Sequence, residues 1–339
     1  VRLMPTAVGG GFGSKLDLSV QPLVAVAAWL MVRPVRALYS RPESIRATTK
    51  RHPGRMRARA GASSDGRLRA MIFDGEFNTG AYASWGPTVA NRVPVHASGP
   101  YLVPNYRATA RAVHTNAVPA GAFRGFGVPQ AAILQEQLYD LLADKLGMDR
   151  LAFRKLNALR ASDPTGTGQV LGEGVGIGAC FEALESHWRR AGEAARAFNA
   201  ARTATDPRRR GVGVAGMWYG CGNTSLPNPS TILIGLKPDG RIQLHQGAVD
   251  IGQGSNTVIT QIAADALRCP IDRFDLVGAD TDLTPDCGKT SASRQTFVTG
   301  KAAEMAGAAL RAAILRLANA GEDAAVTFED GRLGIGEGA

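Results

Sequence analysis

Four short segments rich in glycine and other small residues are spread along the chain, and they constrain its fold more than any other feature. Glycine permits left-handed backbone conformations that other residues avoid, so each segment predicts a sharp turn at the end of a strand or helix. Taken singly, each is more simply a turn without a ligand. The segments lie at residues 9–15, 121–127, 252–254 and 290–295.

The first segment excludes two common nucleotide-binding motifs. It reads Gly-Gly-Gly-Phe-Gly-Ser-Lys, so Ser14 separates Gly13 from Lys15 and the adjacent Gly-Lys of a phosphate-binding loop is missing. Ser14 also stands where a dinucleotide-binding loop has its third glycine. The segment therefore needs another explanation.

The chain is long enough for two globular domains, since it has 339 residues of which 45% are hydrophobic. A polar stretch at 202–207 predicts the boundary, which gives domains at 1–204 and 205–339. Apolar spacing predicts helices, and β-rich runs joined through Pro238, Asp239 and Gly240 predict a hairpin. The predicted class is α+β, with two mixed domains. The predicted helices are 129–146, 180–200, 257–267 and 301–319, and the predicted strands are 231–236, 241–249 and 274–277.

Charge and apolar patterning favour neither nucleic acid nor a membrane as partner. The net charge of +10 comes mostly from scattered arginines, and the one dense run, 208–210, has no interleaved aromatic residues. The apolar run 23–32 is too short to cross a bilayer, so we predict a buried helix. The cysteines are too far apart for a zinc or iron–sulfur site, which predicts buried free thiols at Cys180, Cys221, Cys269 and Cys287.

The order of the segments resembles one protein family. Gly-Gly-Gly-Phe-Gly-Ser-Lys is followed by Ala-Phe-Arg-Gly-Phe-Gly-Val-Pro-Gln, then by Gly-Gln-Gly with a helix containing Gln-Ile-Ala-Ala, then by Ser-Arg-Gln. This series resembles the large, molybdopterin-binding subunit of molybdenum hydroxylases, which include xanthine dehydrogenases, aldehyde oxidases and bacterial aldehyde oxidoreductases. The resemblance covers nearly the whole chain and implies two mixed α/β domains of that type.

The resemblance also implies how the site is divided among residues. In the family, the pterin sulfurs hold the molybdenum, so no protein metal ligand is expected. Backbone N–H groups of glycine-rich turns suit an anionic cofactor. The implied cofactor-binding residues are Gly11, Phe12, Gly13, the backbone amide of Arg124, Gly252, Gln253, Ala292, Ser293 and Gln295.

Three further residues are implied to face the substrate. The ring of Phe126 would position a flat group, and Leu16 stands where xanthine-type members carry a glutamate. This favours an aldehyde or a less polar N-heterocycle, because a polar purine would lose a partner. Arg41 favours a purine substrate instead, since it lies where xanthine enzymes place a substrate-binding arginine.

The function implied is hydroxylation of an aldehyde to a carboxylate with oxygen from water. The alternative is a purine or other N-heterocycle hydroxylase, and a non-catalytic scaffold is third. The base, a glutamate, is expected beyond Ala339. Glu337 is not nominated, because no proline follows it and Asp330 and Gly331 predict a hairpin turn just before it.

Further components are expected from the resemblance. The cofactor is molybdopterin, with a cytosine dinucleotide form as one version. Electrons would leave through iron–sulfur clusters, and these clusters and a FAD would lie on other subunits or on further sequence. The expected assembly is a homodimer of the full enzyme in the cytoplasm, with the periplasm as the alternative.

Overall fold

The structure is a computed structural model that describes residues 1–222, 227–329 and 332–336. It divides into two compact units, one of Asp17–Tyr219 and one of Val1–Leu16 with Gly220–Ala339. The N-terminal glycine segment therefore belongs with the C-terminal part of the chain. The domain boundary at residues 204 and 205 stays a prediction.

The unit Asp17–Tyr219 is built on a three-stranded sheet of order β1-β2-β3. Strand β2 pairs antiparallel with β1 and parallel with β3. Alternate residues of β2, such as Met71, Phe73 and Phe77, are buried and form the core with helices α3 and α4. The elements are α1 (Gln21–Met31), α2 (Arg41–Ala47), β1 (Gly54–Ala62), β2 (Leu68–Gly80), α3 (Gly86–His96), β3 (Asn105–His114), α4 (Val128–Lys145), α5 (Arg150–Asn157) and α6 (Ile177–Ala200).

A buried ion pair fixes α5 against α4. The fully buried Arg154 side chain donates from Nε to Glu136 Oε2 at 2.7 Å, and the Tyr101 hydroxyl donates to Glu136 Oε1 at 2.9 Å. Asp149 caps α5 by accepting the backbone N–H groups of Leu151 and Ala152. The Arg154 guanidinium and the Glu136 carboxylate are thus both hydrogen-bonded inside the core, as buried charges require.

The second unit has its own three-stranded sheet, of order β4-β5-β6. Strands β4 and β5 pair antiparallel across the turn at Gly240, whose φ is 77°, so the predicted hairpin is confirmed. Helices α7 and α8 pack together, and α7 buries Ile259 and Leu267 in the core. The elements are β4 (Leu233–Leu236), β5 (Ile242–Gln246), α7 (Ser255–Leu267), a 3-10 turn (Ile271–Arg273), β6 (Phe274–Gly278), a π-helical turn (Gln295–Thr299), α8 (Gly300–Leu317), β7 (Ala325–Glu329) and β8 (Arg332–Gly336).

One helix is placed differently from expectation. Residues 23–31 of the apolar run do lie in helix α1, but none of the residues of this helix is buried, and Leu23 and Trp29 are 66% and 77% exposed. The prediction of a buried helix is wrong, because burial needs a covering surface and the described part of the chain does not supply one. No helix among the described residues has both the length and the apolar character needed to cross a bilayer.

The cysteines also differ from expectation. All four are free, as predicted, but Cys180 and Cys221 are exposed and only Cys287 is buried. Spacing along the chain argues against shared ligation, whereas burial depends on tertiary packing that spacing does not encode. The turn predicted at Asp330 and Gly331 and the residue Glu337 lie outside the described residues, although strands β7 and β8 pair antiparallel.

Candidate functional site

The first glycine segment is a left-handed loop that packs on the loop around Gly252. Gly10, Phe12 and Gly13 have φ values of 87°, 52° and 95°. The Gly10 amide donates to the Ile251 carbonyl at 3.1 Å, and a Cβ on Gly11 would lie 2.9 Å from Ile251 Cδ1. Gly11 is therefore buried, while the Phe12 side chain stays exposed.

The loop around Gly252 is organised by a carboxylate that sequence reasoning missed. Asp250 accepts the backbone N–H of Gly252 at 2.8 Å and that of Asn256 at 3.2 Å, and so caps the start of α7. Burial acts to raise the pKa of Asp250, but the hydrogen bonds from the Gly252 and Asn256 amides outweigh it, so the pKa is lowered overall. The Gly252 and Asn256 amides are therefore bonded to a carboxylate of the protein itself. The only sequence signal was an Asp two residues before a glycine, which is typical of many turns.

Gln253 is also engaged within its own loop. Its Oε1 accepts the Ile251 amide at 2.7 Å, and its Nε2 donates to Ser255 Oγ at 2.9 Å. The residue is nevertheless exposed. Its side chain is therefore held in one orientation at the loop surface.

The segment 290–295 lies beside the Gly252 loop. Thr290 Oγ1 donates to the Val249 carbonyl at 2.9 Å. Ala292 and Ser293 have φ values of 53° and 54°, and their carbonyls accept from the Gly222 amide at 2.8 Å and from Cys221 Sγ at 2.9 Å. Two successive non-glycine residues in the left-handed region are uncommon and point to a functional turn.

Arg294 supports this segment from inside. It is 2% exposed and donates to the carbonyls of Cys287 at 2.6 Å and Pro229 at 2.6 Å. Gln295 is buried too, and its Nε2 donates to the Gly288 carbonyl at 3.3 Å while its Oε1 accepts from Thr299. The predicted cofactor residue Gln295 thus holds the loop internally, and the supporting role of Arg294 was missed.

The segment 121–127 belongs to the unit Asp17–Tyr219. The Phe126 amide donates to the Phe123 carbonyl at 2.7 Å, and Phe126 has a φ of 46° between two glycines of positive φ. Its half-buried ring lies edge-on to Trp85, with centroids 6.3 Å apart. The Arg124 side chain is exposed, and the residue's carbonyl accepts from Arg51 Nη2 at 2.6 Å.

The two remaining predicted residues, Leu16 and Arg41, belong to different units. The half-buried Leu16 closes the first segment through its amide, which donates to the Gly13 carbonyl at 3.1 Å. Arg41 is exposed and opens helix α2 behind the N-cap Ser40. Within the second unit, the structure therefore brings together the segments that contain Phe12, Gln253 and Ser293. Arg124, Phe126 and Arg41 belong to the other unit.

Several loop amides have the character that an anionic cofactor needs. Within the described ranges, the backbone N–H groups of Gly11, Phe12, Gly13, Ala292 and Ser293 donate to no other residue. Successive N–H groups in such turns form concave anion-binding surfaces. No group of three or more His, Cys, Asp or Glu side chains among the described residues is placed to hold a metal ion. The N–H groups of these two loops fit an anionic cofactor.

Comparison with known proteins decides the family. A family model described as a molybdopterin cofactor-binding domain matches residues 1–158, and a second of the same description matches residues 182–338. The chain belongs to the molybdenum hydroxylases. The predicted family and the predicted α+β fold are both confirmed.

Relatives of this molybdenum hydroxylase chain differ in their named substrates. It is 48% identical over 185 residues to the nicotinate dehydrogenase large molybdopterin subunit of Eubacterium barkeri, covering 55% of this chain and 43% of that protein. It is 34% identical over 308 residues to the aldehyde oxidoreductase of Megalodesulfovibrio gigas, covering 90% of this chain and 33% of that protein.

The chain is also similar in structure to a solved member of the family. The aldehyde oxidoreductase from Desulfovibrio desulfuricans ATCC 27774 superposes with a TM-score of 0.81 at 32% identity, covering 89% of this chain and 33% of that one. The chain therefore spans less than half the length of these relatives.

Proposed function

We propose that this chain holds a molybdopterin cofactor in an enzyme that hydroxylates an aldehyde to a carboxylate with oxygen from water. The observation that carries the proposal is the cluster of left-handed loops within the second unit, where 9–13 and 290–295 both adjoin the Gly252 loop. The cofactor, when bound, supplies the two-electron oxidation of the substrate carbon. The protein supplies binding, orientation and electrostatics.

The residues of the cluster would hold the cofactor in two ways. The N–H groups of Gly11, Phe12 and Gly13, and those of Ala292 and Ser293, would donate directly to its oxygens. The other predicted residues of this cluster, Gly252, Gln253 and Gln295, have polar groups bonded to the protein, so they shape and brace the loops. The backbone amide of Arg124 remains a proposed donor, because within the described ranges it bonds to no other residue.

The substrate-facing residues would exclude water and orient a flat molecule. Phe126 offers an aromatic face braced by Trp85. Leu16 would provide an apolar wall with no hydrogen bond for a polar purine. Arg41 is proposed as an outer basic contact, since it is exposed. No catalytic base is assigned to this chain.

The second candidate substrate is an N-heterocycle such as nicotinate. The 48% identity to a nicotinate dehydrogenase subunit favours it, although that similarity covers 55% of the chain. A carboxylated ring would also be drawn by the net charge of +10. The two candidates share the reaction and differ in the ring and in the charge of the substrate.

Other components of the proposed enzyme follow from the family. Electrons would pass to iron–sulfur clusters and a FAD on other subunits or domains, in a homodimeric assembly in the cytoplasm or periplasm. The cofactor would be molybdopterin itself or its cytosine dinucleotide form. The non-catalytic scaffold stays the third proposal.

A substrate screen of the complete enzyme tests the function. Dye reduction is measured with aromatic aldehydes, purines and nicotinate. The highest kcat/KM with an aldehyde supports the first candidate, and the highest with nicotinate supports the second. A cofactor-loaded enzyme that reduces dye with none of them contradicts the hydroxylase proposal and leaves the scaffold.

A further inference from the structure

Within the described ranges, the Arg51 side chain bonds to or stacks on residues of segment 121–127 and of helix α4, which follows that segment. Its Nη2 donates to the Arg124 carbonyl at 2.6 Å, and its Nη1 donates to Gln130 Oε1 at 3.4 Å. Its guanidinium carbon lies 4.7 Å from the centroid of the Phe123 ring. Arg51, which lies just before strand β1, thus holds a loop that is more than seventy positions later in the chain.

These contacts fix the loop at both ends of its reversal. Arg51 restrains the ring of Phe123 and the next carbonyl, that of Arg124. The chain then folds back so that the Phe126 amide reaches the Phe123 carbonyl at 2.7 Å. Beyond the turn, Arg51 bonds to Gln130, which lies in helix α4.

The Phe126 backbone needs such support. Its φ of 46° is unfavourable for a bulky side chain, and the flanking Gly125 and Gly127 have φ values of 89° and 98°. Three successive residues, Gly125, Phe126 and Gly127, therefore lie in the left-handed region. Strained conformations persist where the surrounding structure fixes them.

The chemistry of arginine suits this task. A guanidinium is planar, keeps its charge and donates along fixed directions, so one side chain can bond two acceptors and stack on a ring at once. Burial lowers the pKa of Arg51, yet an arginine remains protonated throughout the physiological range. Lysine keeps the charge and loses the planar geometry.

We infer that Arg51 is a positioning residue that sets the orientation of the Phe126 ring toward the substrate. The inference rests on the proposed function, because it assumes that Phe126 contacts substrate. Arg51 itself acts through Phe123 and the Arg124 carbonyl. A purely structural arginine would support folding or cofactor retention and leave substrate selectivity unchanged.

The test is a double-mutant cycle in the complete, cofactor-loaded enzyme. The variants are Arg51→Met, Phe126→Ala and the double variant, with Arg57→Met on strand β1 as the matched control because Arg57 is an exposed arginine. The readouts are KM and kcat for a flat aromatic substrate that the wild type accepts, and molybdenum content. Arg51→Lys is the milder variant should Arg51→Met fold poorly.

We expect Arg51→Met to raise KM about tenfold while molybdenum content stays at the wild-type value, since it removes charged hydrogen bonds to the loop. Arg51→Lys should give a smaller rise, and Arg57→Met none. In the Phe126→Ala background, Arg51→Met should change KM less than about twofold, because two residues in one chain of contacts are not additive.

Two results overturn the inference. One is the same increase of KM on Arg51→Met with and without the Phe126 ring. The other is a loss of molybdenum that accounts for all of the lost activity in both Arg51 variants. Failure of the proposed function is recognised separately, since the wild-type enzyme would then contain no molybdenum or would reduce the dye with none of the substrates.

Discussion

Gly13 shows how closely the proposed cofactor loop depends on single backbone conformations. Its φ of 95° is strained for any residue with a Cβ. We expect Gly13→Ala to distort the loop and lower the molybdenum content of the purified enzyme. Gly9→Ala is the control, because a Cβ at Gly9 would have no atom within 4 Å and that residue has no positive φ. Equal molybdenum contents in the two variants would argue against this loop as a cofactor cradle.

Phe126 is expected to serve the substrate more than the cofactor. Phe126→Ala removes the proposed aromatic face, so KM for a flat substrate should rise about tenfold, equivalent to about 1.4 kcal/mol. Molybdenum content should stay close to that of the wild type. Steady-state kinetics with paired metal analysis provide the measurement, and unchanged KM for every accepted substrate counts against the assigned role.

Asp250 makes the stability of its loop depend on pH. Burial acts to raise its pKa, but hydrogen bonds from the Gly252 and Asn256 amides lower it more, so the folded-state pKa lies below the ordinary value. The carboxylate therefore contributes stability that is fully present above a pH of about 3.9 and is lost as pH falls through the folded-state pKa. We expect Asp250→Asn to be less stable than the wild type at neutral pH, with the gap closing in acid. Denaturant unfolding across pH measures this, and a gap that widens in acid would contradict it.

At single positions, the residue types of the loops could be predicted from sequence, but not their hydrogen-bond partners. The glycines at 10 and 13 indicated left-handed turns, and both adopt them. The carboxylate of Asp250 and the buried guanidinium of Arg294 escaped notice, because which carbonyl or amide a side chain reaches depends on how distant segments pack. The cofactor and substrate roles of the predicted residues remain predictions.

The bounds of the helices were predicted more accurately than the burial of their residues. Helix α4 begins one residue before the predicted start and ends one residue before the predicted end. Periodicity and caps are local signals, so they transfer directly to structure. The burial of α1 was predicted wrongly because an apolar sequence shows what a helix can bury and not what covers it.

Arg294 bonds to two other stretches of the second unit, at residues 287–289 and at Pro229. It donates to the carbonyls of Cys287, Lys289 and Pro229 from a side chain that is 2% exposed. We expect Arg294→Met to lower the free energy of unfolding by about 3 kcal/mol or more, because several buried carbonyls would lose their donor. Chemical denaturation measures it. The exposed Arg268→Met serves as control, and equal stability losses in the two variants would refute the role given to Arg294.

At the scale of the whole molecule, the family could be predicted because four short motifs occur in a fixed order along nearly the whole chain. Each motif alone was consistent with an empty turn. The family matches over 1–158 and 182–338 cover both halves of the sequence. The substrate could not be decided in the same way, since it depends on few side chains and the relatives themselves differ in substrate.

The glycine-rich turns are proposed to hold one anionic metallopterin through backbone donors. The test is combined metal and pterin analysis of the full-length protein, purified under native conditions. We predict molybdenum and pterin in equal molar amounts, both lost together in Gly13→Ala. An active wild-type protein that contains neither molybdenum nor pterin would show that the turns do not have this role.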